Sequence, residues 1–376
     1  MPLAGKALAT LCVLVERHGA LVSKQDLMSA VWPETVVEEN SLDRNISTLR
    51  KTLGDKAGRG RYIETVPRKG YRFVAKVERV EAVAVARPSS SLTRKAAIPQ
   101  QIGFCRVPDG VRIAYATAGS GPPLVKAANW LNHLEFEWES PVWRHWVEEL
   151  VRHHELIRYD ERGCGLSDWK VPDFSFDAWV RDLETVVDRL RLERFALMGI
   201  SQGAAVAIAY TVKHPEKVSR LVLYGGYARG WGKRGSAAEI ERRHALNTLI
   251  RLGWGRDHPA FRQMWTALYI PEGNAEQVQW FNDLQRISAS PENAELFSRT
   301  FGEIEVTDLL AQVRVPTVVF HCDQDAAVPF QEGRLLAAGI PGAKFVPLAS
   351  RNHILLGNEL GWSAFLRELG EFLEWE

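Results

Sequence analysis

The chain has 376 residues, of which 46% are hydrophobic, 25% are charged and 18 are proline, the make-up of a globular protein able to bury a full core. That excludes a disordered, collagen-like or small disulfide-stapled chain, and at about 100 to 200 residues per domain it favours two domains over one. Lys plus Arg number 47 against 46 for Asp plus Glu, so the total points to neither a nucleic-acid binder nor an acidic scaffold unless two domains of opposite sign cancel.

Apolar residues at Leu8, Leu11, Leu14 and Val15 predict a first helix. The apolar run Ala7 to Val15 ends at once in Glu16, Arg17 and His18 with no cleavage pattern, so an amphipathic helix is expected rather than a secretory signal. No window reaches the roughly 18 to 20 apolar residues of a membrane span. Cys12, Cys105, Cys164 and Cys322 are scattered without a C-x-x-C pair, which fits reduced thiols in the cytoplasm and argues against a disulfide framework or a structural metal.

Ser23 is a good N-cap for a second helix, Lys24 to Trp32, ended by Pro33. A third helix follows, capped by Asn40 or Ser41. Its apolar positions Leu42, Ile46, Leu49 and Leu53 form one stripe, with Arg44, Ser47, Thr48 and Lys51 on the opposite side. Tyr62 to Val74 then reads as two short strands around a Pro67 to Gly70 turn tipped with Arg68 and Lys69. Residues 44–76 hold ten basic side chains against Asp55 and Glu64, the local footprint a phosphate backbone attracts.

Val22-Ser-Lys-Gln-Asp-Leu27, Val31-Trp32, Asn45 to Leu53, Tyr62-Ile-Glu-Thr-Val66 and Gly70-Tyr-Arg-Phe73 together resemble the winged-helix effector domain of the OmpR/PhoB response-regulator type. The resemblance implies that the third helix enters the major groove of double-stranded DNA with Arg44, Ser47, Thr48, Arg50 and Lys51 at contacting positions. It also implies that the Arg68/Lys69 wing reaches the minor groove. The family's opening sheet has no counterpart before the first helix, so an N-terminally shortened module is expected.

Residues 77–101 lose periodicity and carry Pro88, three consecutive serines and Pro99, the composition of an exposed linker. Divided there, residues 1–76 carry 13 basic against 8 acidic side chains and residues 77–376 carry 34 against 38. The near-neutral total is therefore a cancellation between a basic module and an acidic body.

From residue 102 short apolar segments alternate with amphipathic helical ones, which argues for a mostly parallel sheet wrapped by helices, an α/β fold. Strands are expected at 103–106, 111–117, 124–128, 155–159, 194–198, 218–224, 317–321 and 344–347. The fifth runs into Gly199-Ile-Ser-Gln-Gly203 and then an alanine-rich helix. In that strand-turn-helix context Ser201 sits on a tight turn whose flanking glycines avoid collision with neighbouring backbone. A serine hydroxyl needs a base oriented by a carboxylate. Cys322-Asp-Gln-Asp325 and Ala349-Ser-Arg-Asn-His353 both leave strand ends on the same sheet edge as Ser201, leaving Asp323 or Asp325 as the acid and His353 as the base, with His321 as its competitor.

These residues resemble the α/β-hydrolase superfamily over nearly all of 102–376. The resemblance favours Asp325 over Asp323 and implies a catalytic triad of Ser201, Asp325 and His353. It also implies an oxyanion hole from the backbone N–H groups of Gln202 and Trp130, although relatives commonly carry His-Gly where this chain has Ala128-Asn129, and Asn129 is expected to narrow the hole. Asp160 and Arg162, in Asp160-Glu-Arg-Gly-Cys-Gly-Leu-Ser167, are expected to be structural. The aromatic-rich segment 226–305 (Trp231, Trp254, Trp265, Tyr269, Trp280, Phe281) is expected to be a helical cap roofing Ser201. Serine at the elbow disfavours a haloalkane dehalogenase. The combined expectation is a cytoplasmic serine hydrolase of a small apolar ester, thioester or lactone. The alternative is a one-component regulator that senses a small apolar effector. Its partners would be DNA and a second copy of the chain in a homodimer, with no cofactor and no membrane.

Overall fold

The computed structural model describes residues 5–31, 39–55, 61–66, 69–75, 77, 99–255 and 259–375. The chain divides into two compact units, Met1–Arg94 and Lys95–Glu376. Most of the expected linker lies outside the described residues.

In the first unit, helices α1 (Gly5–Glu16), α2 (Lys24–Val31) and α3 (Glu39–Leu53) pack with strands β1 (Leu21–Ser23), β2 (Ile63–Val66) and β3 (Gly70–Phe73). The α3 stripe Leu42, Ile46 and Leu49 is buried together with Leu14, Val22, Leu27, Ile63, Tyr71 and Phe73. Ser23 caps α2, its Oγ accepting the Asp26 N–H at 3.0 Å. Because α3 already begins at Glu39, Asn40 and Ser41 lie inside its first turn rather than at its cap. The expected hairpin gains a third strand, since β1 pairs antiparallel with β3. The packing is tight at Gly70, where a Cβ would come within 2.0 Å of the Val22 carbonyl oxygen. Asp55 fastens the hairpin to the end of α3 by accepting the N–H groups of Arg61, Tyr62 and Ile63 at 3.0, 2.9 and 3.1 Å.

The second unit is an eight-stranded sheet. Its strands are β4 (Gln101–Arg106), β5 (Arg112–Ala118), β6 (Pro123–Lys126), β7 (Glu155–Tyr159), β8 (Phe195–Ile200), β9 (Val218–Tyr224), β10 (Thr317–Cys322) and β11 (Lys344–Leu348), in the order β11-β10-β9-β8-β6-β7-β5-β4. Only the β4–β5 and β5–β7 pairings are antiparallel. Every residue of β8 and β10 is buried, as strands covered on both faces must be. Helices α4 (Leu134–Trp138), α5 (Arg144–His153), α6 (Phe176–Arg189) and α7 (Gly203–Lys213) fill the crossovers up to β9. The stripe Trp179, Leu183, Val186 and Val187 of α6 is fully buried behind its Ser175 cap.

The segment expected to form a cap is helical: α8 (Trp231–Arg234), α9 (Ala237–Gly253), α10 (Pro259–Tyr269), α11 (Ala275–Ser288) and α12 (Pro291–Glu303). Ser236, Asn274 and Ser290 start α9, α11 and α12 by accepting first-turn N–H groups. The chain then returns through α13 (Thr307–Leu310), α14 (Phe330–Gly339) and α15 (Leu360–Leu373) around β10 and β11.

Candidate active site

β8 delivers Ser201 to its sharp turn. Ser201 has φ 54°, a left-handed conformation that a non-glycine residue adopts only where surrounding structure imposes it. The imposition is visible on both sides. A Cβ on Gly199 would lie 2.6 Å from the Ala204 Cα, and one on Gly203 would lie 2.7 Å from the Ala128 carbonyl oxygen. The Ser201 N–H donates to the Tyr224 carbonyl at 3.0 Å, which ties the elbow to the end of β9.

Asp325 and His353 leave β10 and β11 at the same sheet edge. Their side chains meet with His353 Nδ1 at 2.6 Å from Asp325 Oδ2. The other carboxylate oxygen, Oδ1, accepts the Ala327 and Val328 N–H groups at 2.8 and 2.9 Å. Burial alone would raise this carboxyl, but the His353 imidazole, His321 and the Val328 N–H outweigh it and hold Asp325 below its ordinary value. Asp323 is exposed and accepts only a long bond from the Ser350 N–H, 3.4 Å, so the geometry separates the two candidate acids. His321 turns its Nε2 to the Val328 carbonyl at 3.1 Å and stands 3.7 Å from Asp325. The His353 N–H donates to the Tyr269 carbonyl at 2.8 Å, and the Tyr269 ring meets the imidazole edge-on at 5.5 Å.

His353 Nε2 is buried and has no hydrogen-bond partner among the described residues. It shares with Ser201 a narrow cavity of about 10 Å³ whose other walls include Asn129, Trp130, Trp143, Tyr269 and Phe281. The Ser201 hydroxyl is not bonded to it in this structure, a looseness common before substrate closes such a site. The Trp130 and Gln202 residues, 3% and 1% exposed, flank the same cavity and elbow. Among the described residues neither of their backbone N–H groups has an acceptor. The Asn129 side chain is turned to the Lys126 ammonium, which accounts for its tolerance where a glycine was expected.

The cap reaches this site through aromatic rings. The Trp130 indole stacks on Trp254 at 5.0 Å and on Phe297 at 5.6 Å, and meets Trp265 edge-on at 6.2 Å. Beneath, Asp160 accepts the Leu134 and Leu166 N–H groups and the Asn132 amide. Arg162 forms a two-point pair with Asp182 at 2.8 and 2.6 Å. Both are buried braces of the loops around the site.

Sequence reasoning missed three contributors. Gly225, at φ 54°, carries the chain past the imidazole so closely that a Cβ would sit 3.0 Å from His353 Cε1; its signal is the Gly-Gly pair directly after β9. Glu161 accepts the Gln202 side-chain amide at 3.2 Å, and burial with the nearby Asp182 charge pushes its carboxyl up to about 8. Lys126 is a lysine inside an apolar central strand.

A family model described as alpha/beta hydrolase fold matches residues 137–359. The chain belongs to the α/β-hydrolase fold family. This α/β hydrolase is 27% identical over 254 residues to the AB hydrolase superfamily protein YisY of Bacillus subtilis, covering 66% of this chain and 91% of that one. It is 28% identical over 247 residues to 2-hydroxymuconate semialdehyde hydrolase of a Pseudomonas species, covering 60% and 75%. The esterase EaEST from Exiguobacterium antarcticum superposes on it with a TM-score of 0.62 at 22% identity, over 73% of this chain and all of that one. Residues 1–73 match the transcriptional regulatory protein C-terminal family. Over 73 residues they are 42% identical to the cholera toxin transcriptional activator of Vibrio cholerae, 19% of this chain and 25% of that protein. The α/β hydrolase thus carries an N-terminal regulatory domain of the OmpR/PhoB type, and none of its described helices is long and apolar enough to cross a membrane.

In that domain Ser47 and Thr48 are exposed on α3, and Lys69 is exposed at the hairpin turn. Arg44 and Lys51 lie on α3 with side chains outside the described ones, and Arg68 lies outside the described residues altogether. Arg50 differs from the expectation. Its guanidinium turns to the hairpin, donating to the Ile63 carbonyl at 2.8 Å and to Thr65 Oγ1 at 2.7 Å from Nη2, so part of its donor set holds the fold.

Proposed function

We propose that the body is a serine hydrolase of small, uncharged acyl compounds: carboxylic esters, thioesters or lactones. Ser201 Oγ attacks the acyl carbonyl carbon while His353 Nε2 takes its proton, and the Trp130 and Gln202 N–H groups receive the developing oxyanion. Collapse breaks the bond to the leaving group, which departs with the proton from His353. Water, deprotonated by the same imidazole, then attacks the acyl-enzyme, releases the acid and restores Ser201. Asp325 keeps Nδ1 protonated and directs Nε2 to the serine.

The observation that carries this is the 2.6 Å Asp325–His353 bond with a buried, unpartnered Nε2 facing the cavity of Ser201. The cavity's Trp, Tyr, Phe, Leu and Ile walls favour an apolar acyl chain. The test is labelling by a fluorophosphonate probe and turnover of p-nitrophenyl esters by the wild type and Ser201→Ala. Labelling and turnover confined to the wild type are expected, and equal behaviour of the two proteins defeats the proposal.

The fused regulatory domain favours a second role on top of catalysis. The chain acts on DNA in the cytoplasm as a one-component regulator, with α3 in the major groove through Ser47, Thr48, Arg44 and Lys51 and with the Arg68/Lys69 wing at the minor groove. A gel-shift titration should show affinity falling steeply with salt, with a log–log slope near −0.9 per phosphate neutralised. Affinity indifferent to salt removes this role.

A further inference from the structure

Lysine at the buried end of a central strand demands an explanation. Lys126 ends β6, between Arg158 of β7 and Met198 of β8 in register, and is only 8% exposed. Its side chain borders a second narrow cavity, of about 10 Å³, with Glu137, Arg158, Trp143 and Trp146. Trp143 and Ile200 wall both this cavity and the one holding Ser201, so the two adjoin.

The charges around Lys126 do not cancel it. Glu137 is committed to Arg158, Oε2 to Nη1 at 2.9 Å, with its other oxygen unpartnered. The charges of Asp160 and Glu161, on the loop after β7, also act on the lysine. Burial drives both toward the neutral acid, to about 7 and about 8. No carboxylate among the described residues is within ion-pair distance of the Lys126 ammonium. Its hydrogen bond goes instead to the neutral Asn129 Oδ1, and the Trp143 ring lies 5.6 Å away. A buried cation without an anionic partner is costly to fold. Burial accordingly pulls the ammonium down to about 8.

Such a charge is useful where negative charge appears only during reaction. Asn129 immediately precedes Trp130, whose N–H has no acceptor. We propose that Lys126 is a positioning residue for the oxyanion hole. Through Asn129 it fixes the turn that presents the Trp130 N–H, and its charge, held behind that turn, favours the oxyanion over the neutral ground state. This rests on the serine-hydrolase reading above.

The experiment uses the full chain and p-nitrophenyl butyrate, with active sites counted by fluorophosphonate titration. It measures kcat and KM from pH 6 to 10 for the wild type, Lys126→Met and Asn129→Ala. In Lys126→Met, kcat per titrated site should fall about 10- to 100-fold, below the cost of deleting a direct oxyanion donor, with KM changed less than about 3-fold. The wild-type kcat should decline on an alkaline limb near pH 8, and that limb should vanish in Lys126→Met and persist in Asn129→Ala. An unchanged kcat in Lys126→Met, or the same limb in that variant, overturns the inference. If Lys126→Met yields no titratable sites, Asn129→Ala decides. A kcat loss with KM held supports the inference, and wild-type kcat overturns it. A wild type that neither labels nor turns over removes the hydrolase reading and this inference together, whereas a labelled wild type with an indifferent Lys126→Met removes this inference alone.

Discussion

The two sides of Ser201 are built in opposite ways. On the acid–base side, Asp325 and His353 leave adjacent parallel strands; Asp325 is fastened by the N–H groups of Ala327 and Val328, and His353 by the Tyr269 carbonyl at the end of α10. On the proposed oxyanion side, Trp130 and Gln202 meet partners far off in the chain, namely the rings of Trp254, Trp265 and Phe297 and the buried Glu161, while the buried Lys126 lies close by in sequence. The contrast teaches that the Asp325–His353 pair is set chiefly by two neighbouring strand ends with one tie to the cap, while the proposed charge-stabilising half is set by several cap rings and buried ionic groups together.

The largest effect should fall on the local side. Asp325→Asn keeps the shape but presents a donor to Nδ1, so kcat should drop about 10⁴-fold with little change in melting temperature; a drop below tenfold would show that Asp325 does not orient the base. Next comes the tertiary side. Trp130→Ala removes the ring that the cap clamps. It should cost about 3–5 kcal/mol of stability and, by loosening the turn, about 10²-fold in kcat/KM. Thermal melts and kinetics measured together check this, and a destabilised variant with wild-type kcat/KM would uncouple cap and oxyanion hole. Gly225→Ala crowds His353 at a left-handed position, and about a tenfold loss of kcat without loss of fluorophosphonate-titratable fold is expected.

The smallest effect concerns Glu161, whose folded carboxyl is raised from an ordinary 4.5 to about 8. A raised group makes the folded state bind more protons than the unfolded one between those values. Its contribution is complete below the ordinary carboxylate value and is lost as pH rises through about 8. Melting temperature should therefore fall more steeply between pH 5 and 9 in the wild type than in Glu161→Gln. Parallel curves for the two proteins would mean that Glu161 is ionised throughout.

Much of the fold was legible because its signals are local. Eight body strands stand within two residues of their expected ends, since apolar runs such as Phe195–Ile200 and Val218–Tyr224 record burial on both faces. The α3 stripe and the hairpin likewise follow from periodicity. β1 escaped notice because three residues carry no periodicity of their own and become a strand only by pairing with β3. The cap of α3 was misplaced because polar side chains in a helix's first turn look like its cap.

The sequence by itself determined that a basic module precedes an acidic α/β body, that Ser201 sits on a glycine-flanked elbow, and that an acid and a histidine follow in order at strand ends. Each of these is written in neighbouring residues. Only the tertiary structure decided that Asp325 rather than Asp323 reaches His353, that Arg50 braces its own hairpin, and that Lys126, Glu161 and the cap aromatics gather behind the oxyanion turn. Those outcomes depend on which side chains burial brings together across long stretches of chain, and on the cost of leaving a buried charge or N–H group without a partner.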